Sequence, residues 1–202
     1  MAKQKLPKLI AFSGHRGSGK DTAGLHLVNA YGYKTVSFAK ELKNMVADQY
    51  EIDRDAMDDR FRKDAPLLNM PVIPTDKFTL AIHALLHDEL KTGFWTPRAL
   101  CILEGSIKRS VYGNYWVKRV LEKVMGDDNR YVITDMRYKS EADTLKMMIP
   151  DTKLVRINRP DNIITTQDPS ERDLDSYKFD HYINNAATIG DLYNEASKIL
   201  GG

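Results

Sequence analysis

Two glycines five residues apart, with a lysine directly after the second, carry the clearest chemistry in this chain: Gly14-His15-Arg16-Gly17-Ser18-Gly19-Lys20. Glycines let successive backbone N–H groups turn inward on one anion, and a lysine behind them brings a point charge to the same place. This is the spacing of a loop that cradles the phosphates of a nucleoside triphosphate. Asp21 and Thr22 follow. A hydroxyl residue is usual directly after such a lysine; here a carboxylate takes that position, and Thr22 offers a hydroxyl to an earlier phosphate. An acid in the first turn of a helix complements the helix dipole. A carboxylate is also a suitable oxygen ligand for Mg²⁺, directly or through a coordinated water. The second role is the expected one for Asp21, with ATP as phosphoryl donor and Mg²⁺ as cofactor.

A second acid, Asp135, ends the apolar run Tyr131-Val132-Ile133-Thr134, and Arg137 stands two residues on. Ligands of open α/β sheets bind outside the carboxyl ends of strands, so Asp135 is expected on the same edge as the loop, as the second metal-linked acid. Arg137, Arg156, Arg159 and Arg172 gather around the last strands and a polar stretch, residues 159–178. Arginine forks stabilise charge as it spreads over a phosphoryl group in transfer. Arg137 and Arg159 are therefore expected to be catalytic with Lys20 and Asp135. The polar stretch is expected to act as a lid that excludes water.

Thr96-Pro97-Arg98 opens a helix, and Arg98 is the first candidate to hold a second phosphate, with Arg60, Lys63 and Arg109 as further cations. Trp116, like Phe94 and Trp95, offers a ring on which a base can stack, although aromatics in such settings more often fill cores. His83 and His87 lie four apart, but the residues between them are Ala-Leu-Leu, without the glutamate of a zinc-protease helix, and no third ligand suggests itself, so no metal is expected there.

These groups need a frame. Leu9 to Ser13 reads as a buried parallel strand running into the loop, and Lys20 to Ala30 as a helix stopped by Gly32. Tyr33 to Phe38 alternates like a strand, and Ala39 to Tyr50 has helical spacing. Helices are expected at 77–90, 97–103 and 115–125. Strands then return at 131–134, 154–158 and 182–184, separated by a helix at 140–148 and closed by one at 189–200; residues 159–178 show no evident core element. Five strands alternating with helices give an α/β fold with a parallel sheet covered on both faces. One domain is expected over 1–202, with a helical insertion at about 40–126.

Composition fits this frame. The chain has 202 residues, 42% hydrophobic and 29% charged, and a net charge of +2. That balance lacks the basic stripe of a nucleic-acid binder, so no nucleic-acid partner is expected. Cys101 is the single cysteine, which excludes an internal disulfide and suits a reducing, cytoplasmic setting. The N-terminal apolar run is too short for a signal peptide, and no segment approaches a membrane span, so no membrane partner is expected.

The stretches "SGHRGSGKDT", "FAKELK", "TPRALCILEGS", "YWVKRVLEKV", "YVITDMRYKSEAD", "INRP" and "YKFDHYINNAATIGDL" together resemble the phage-type deoxynucleoside monophosphate kinases, over nearly the whole chain. Animal phosphomevalonate kinases look similar at the loop and at Asp135-Met136-Arg137 only. The resemblance implies a three-layer P-loop fold of the nucleoside monophosphate kinase type. It implies transfer of the ATP γ-phosphoryl group to a deoxynucleoside monophosphate; a homodimer is compatible with the chain but is not part of the resemblance. It carries Gly14 to Thr22 onto the phosphate loop, Asp135 and Arg137 onto the third strand edge, and Arg98 onto an acceptor contact. Arg159, Ser170-Glu171 and Arg172 fall in the lid, and Asn184 and Asn185 near the adenine. Two departures lie in the acceptor region: Ile102 stands where the family often has glutamine ahead of Gly105-Ser106, and Arg109 comes one place early. Base preference is not inherited.

Overall fold

The computed structural model describes residues 6–72, 92–160 and 169–201. The helix expected at 77–90, with His83 and His87, lies outside the described residues, as does the middle of the 159–178 stretch. The described chain divides into two units, Met1–Phe38 with Val117–Gly202, and Ala39–Trp116.

The first unit is built on a five-stranded, all-parallel sheet. Its strands are β1 (Leu9–Ser13), β2 (Lys34–Thr35), β3 (Tyr131–Ile133), β4 (Thr152–Asn158) and β5 (His181–Asn184), in the spatial order β2-β3-β1-β4-β5. All five residues of β1 are buried, as the centre of a doubly covered sheet requires. The chain crosses from β1 to β2 by α1 (Lys20–Tyr31) and from β3 to β4 by α5 (Lys139–Met148), in opposite directions along the sheet. Right-handed crossovers then put α1 and α5 on opposite faces. Ile10, Phe12, Val155, Ile157 and Ile183 form a core with Leu27 of α1 and with Leu192 and Ala196 of α7 (Ile189–Lys198). The strand residues of opposite parity, such as Leu9, Ala11 and Leu154, are buried on the other side. This is the three-layer α/β arrangement.

Helix ends follow local rules. Gly32 closes α1 in the left-handed conformation, its N–H bonded to the Leu27 and Val28 carbonyls. Thr188 and Asp191 form a reciprocal cap on α7. The strand expected at 33–38 is only two residues long, because Phe38 already begins α2 (Phe38–Gln49). The expected absence of core from 159–178 is corrected in its second half. After the four-residue helix α6 (Pro169–Arg172), Leu174 is buried, as is Phe179 just past the stretch. Polar bonds then fasten the return to β5: Lys139 N–H to Asp173 at 2.7 Å, and Tyr177 hydroxyl to Asp143 at 2.8 Å.

Asp180 ends that return. Burial alone would raise its carboxyl, but the Leu154 N–H and the Lys146 ammonium, each at 2.7 Å, hold it below the usual carboxylate range. A depressed carboxyl contributes stability above its unfolded pKa of about 4 and loses it as pH falls through the folded value. Asp180→Asn is expected to lower the urea midpoint at neutral pH, with the gap to wild type closing at acid pH. A gap that stays constant with pH would assign the loss to packing instead.

In the second unit, α2 packs with α3 (Pro97–Tyr112), and 3₁₀ turns at Arg54–Met57 and Arg62–Asp64 lie between them in sequence. The Thr96 hydroxyl accepts from Ala99 N–H at 3.0 Å and Pro97 takes the first position, so the start of α3 was legible. Its end was not. The helix expected at 97–103 runs on to Tyr112, and Gly105 lies inside it, where a side chain would meet Leu42 Cδ2 at 3.2 Å. Glu104 is buried beside it and accepts from Tyr50 at 2.7 Å and Gln49 at 3.0 Å. Burial, and then this carboxylate, push the Tyr50 hydroxyl well above its ordinary pKa. The helix α4 (Tyr115–Met125) begins at the boundary, and its Val117, Val120, Leu121 and Val124 are buried. Among the described residues, no helix is long and apolar enough to cross a membrane.

Candidate active site

The phosphate loop leaves the central strand and runs straight into α1. Gly14 and Gly19 both have positive φ, at 154° and 103°. A Cβ on Gly14 would stand 2.4 Å from the Ile157 carbonyl oxygen, and one on Gly19 would stand 2.6 Å from Asn185 Nδ2. No side chain caps α1, and Gly19 in the left-handed conformation directs its first turn into the loop. Such a helix start favours an anion. The Lys20 ammonium donates to the carbonyls of Gly14 at 2.7 Å and His15 at 2.9 Å, which seats the charge over the loop. Ser18 is buried, and its hydroxyl has no hydrogen-bond partner among the described residues.

The two acids meet the same strand end. Gly24 lets α1 approach β3 so closely that a Cβ there would stand 2.4 Å from Thr134 Cγ2. One turn earlier on α1, Asp21 accepts from the Thr134 hydroxyl at 2.6 Å. Asp135, the next residue along, accepts from the Ser37 hydroxyl at 2.8 Å and from the Phe38 N–H at 3.3 Å. Two carboxylates with the hydroxyls of Thr134 and Ser37 form a set of hard oxygen donors. Among the described residues, no group of three or more His, Cys, Asp or Glu side chains is arranged to hold a metal. The set suits Mg²⁺, which takes few protein ligands and fills the rest with water and phosphate oxygens, and does not suit zinc.

Arg137 extends from the turn after β3 and donates to the Ser170 hydroxyl at 3.2 Å, while its N–H is held by Glu141 at 2.8 Å. Arg159 is exposed just beyond β4, Arg172 is exposed at the end of α6, and Arg16 is exposed on the loop. Asn185 donates to the Ser18 carbonyl at 2.9 Å and thus braces the loop from the end of β5, whereas Asn184 is exposed. Thr22 is half-buried in the first turn of α1.

Arg156 is the residue whose place differs most from expectation. Its sequence position groups it with the phosphoryl-stabilising arginines, yet it is buried in β4, in register with Ser13 of β1. It donates to Ser13 Oγ at 3.0 Å, to Asp175 Oδ1 at 2.5 Å and to His15 Nε2 at 3.0 Å. A charged residue inside "KLVRIN" was a visible signal of a buried ion pair; its partner Asp175 was not.

In the second unit, Arg98 makes a two-pronged ion pair with Asp64, its second prong at 3.2 Å. Arg98 holds the Asp64 carboxyl below its usual range despite some burial. Arg60 is exposed, and Lys63 and Arg109 are half-buried. Trp116 is buried and its indole N–H reaches the Gly105 carbonyl at 3.4 Å. A cavity of about 290 Å³ in this unit is lined by residues that include Ile52, Leu67, Asn69 and Met70.

No family model matches the chain. The chain is 26% identical over 199 residues to a mimivirus (Acanthamoeba polyphaga mimivirus) protein named "Putative deoxynucleotide monophosphate kinase", covering 93% of each. It is 30% identical over 96 residues to "Uncharacterized protein ORF76" of Ictalurid herpesvirus 1, spanning 44% of this chain and 39% of that protein. Among solved structures, dephospho-CoA kinase from Campylobacter jejuni is similar with a TM-score of 0.51 and 16% identity, covering 96% of each chain. The fold is that of the P-loop kinases.

Proposed function

We propose that this chain transfers the γ-phosphoryl group of ATP to the phosphate of a deoxynucleoside 5′-monophosphate, giving the diphosphate and ADP. The observation that carries the reading is the joint geometry of the loop: Lys20 seated on the Gly14 and His15 carbonyls, with Asp21 and Asp135 both tied to the end of β3. The name of the mimivirus relative, which matches over 93% of both chains, supports the acceptor class.

In this reading the acceptor phosphate is the nucleophile. It is already ionised at neutral pH, so no protein base is required. An acceptor oxygen forms a bond to the γ-phosphorus as the bond to the β,γ-bridging oxygen breaks, and ADP leaves with that oxygen. The loop amides and Lys20 neutralise charge on the donor phosphates, and Arg137 and Arg159 stabilise the group in transfer. Asp21 and Asp135 would hold Mg²⁺, which neutralises phosphate charge as a Lewis acid. The unit Ala39–Trp116 is the acceptor-binding part in this proposal. Arg98 is suited to it, because a fork that holds both oxygens of Asp64 can take two oxygens of a phosphate in the same way.

ADP release measured with dAMP, dGMP, dCMP, dTMP, their ribose forms and phosphomevalonate tests this. At least one deoxynucleotide is expected to accelerate it. Acceleration by phosphomevalonate alone would move the activity to another phosphorylated acceptor. Steady ATP hydrolysis unaffected by any acceptor would make the chain a nucleotide hydrolase.

A further inference from the structure

We propose that Asp175, Arg156 and His15 form a positioning chain that sets the shape of the phosphate loop and, through it, the place of Lys20. Its consequence for catalysis rests on the nucleotide reading above; its geometry does not.

The chain begins on the return from α6, where Asp175 Oδ1 accepts from Arg156 Nη2 at 2.5 Å and lies 3.2 Å from His15 Nε2. Arg156 has side-chain exposure of 8%, so its charge depends on these partners rather than on water. A guanidinium under a sheet edge is costly unless its donors are satisfied. Ser13 and Asp175 each take one, and the Phe179 ring centroid lies 5.9 Å from its centre. Nε2 of His15 lies 3.0 Å from Arg156 Nη2 and 3.2 Å from Asp175 Oδ1, and the shorter contact sets the tautomer in this proposal. A guanidinium can only donate, so Nε2 must accept, and a neutral His15 then carries its proton on Nδ1. Nδ1 is buried with no partner among the described residues.

The ring is one end of His15, and the loop is the other. The His15 carbonyl accepts both the Ser18 N–H at 3.1 Å and the Lys20 ammonium at 2.9 Å. The residue that Arg156 holds by its ring therefore presents the oxygen that seats Lys20. Asp175 and Arg156 act on the reaction only through His15, so they are positioning residues. A displacement of about 1 Å in such a group can cost about 100-fold in rate.

The test has two arms. Long-range proton–nitrogen spectra of labelled histidines, with His15 assigned by its loss in His15→Gln, should show the Nδ1–H tautomer in the wild-type protein. Arg156→Gln should move His15 toward the Nε2–H tautomer. An Nε2–H wild type, or a tautomer indifferent to Arg156→Gln, overturns the proposal. Where Arg156→Gln does not fold, Arg156→Lys replaces it, with partial retention of the tautomer expected and full retention counting against the proposal. In the second arm, Asp175→Asn is expected to lower kcat/KM for ATP by between about 10- and 100-fold, with the acceptor KM within about twofold of wild type. An unchanged kcat/KM for ATP, or an equal loss toward both substrates, overturns it. If the wild type transfers no phosphoryl group, the kinase reading fails, and the spectra alone decide the chain.

Discussion

Lys20→Ala is expected to reduce phosphoryl transfer by about 10³-fold or more in kcat, with little change in stability. Removing one preorganised donor from a site where charge develops costs about 10²–10³ in rate, and Lys20 supplies a full charge as well. Its structural share is small. The side chain donates to two loop carbonyls, and the His15 oxygen keeps the Ser18 N–H when Lys20 is gone. A lost hydrogen bond of this kind is worth about 1 kcal/mol. Steady-state transfer assays with far-UV circular dichroism on the same sample separate the two effects. Lys20→Arg is not expected to rescue the rate, because a planar fork cannot sit where a compact ammonium bridges two carbonyls. A Lys20→Ala enzyme within about tenfold of wild type would remove the residue from the mechanism.

Gly14→Ala should damage both stability and nucleotide binding. The added methyl would stand 2.4 Å from the Ile157 carbonyl oxygen, at a backbone conformation with φ 154°. Neither side can give way easily, because β1 and β4 are hydrogen-bonded in register up to Ser13 and Arg156. Overpacking against backbone costs about 1–3 kcal/mol, and the loop that must shift is the one that holds phosphate. Gly32→Ala is the control: a Cβ there meets nothing within 4 Å, so only the left-handed conformation at φ 71° is penalised, at the end of α1. Urea unfolding and ADP binding by titration calorimetry read both variants. Gly14→Ala binding ADP as tightly as Gly32→Ala would show that the loop tolerates the methyl group and that the clash is absorbed elsewhere.

The parts of this chain that were legible in its sequence are those whose cause is local. The run of apolar residues in β1, the glycines of the loop, the Gly32 stop and the Thr96-Pro97 start each act within a few residues, and the five strands were found in order. The two-residue β2 was overestimated because Phe38 enters a helix whose first N–H is taken by Asp135, nearly a hundred positions away. The length of α3 was missed because Gly105 carries no sign of whether it ends a helix or accommodates Leu42. At the candidate site, spacing alone places Lys20 on the loop and Asp21 and Asp135 toward one strand end. The surroundings of Arg156 are not legible that way, because His15 and Asp175 are brought to it only by the sheet.

The strand order carries a consequence for how the chain is made. The loop occupies residues 14–19, but the strand before it hydrogen-bonds to β3 and β4, which begin at Tyr131 and Thr152. A ribosome that has delivered about a hundred residues past the loop has released all of the loop and neither of the strands that frame it. Closing such long intervals is slow and leaves apolar strand edges exposed meanwhile. Competence to grip a phosphate thus waits until residues past Thr152 have emerged, as one event with closure of the sheet.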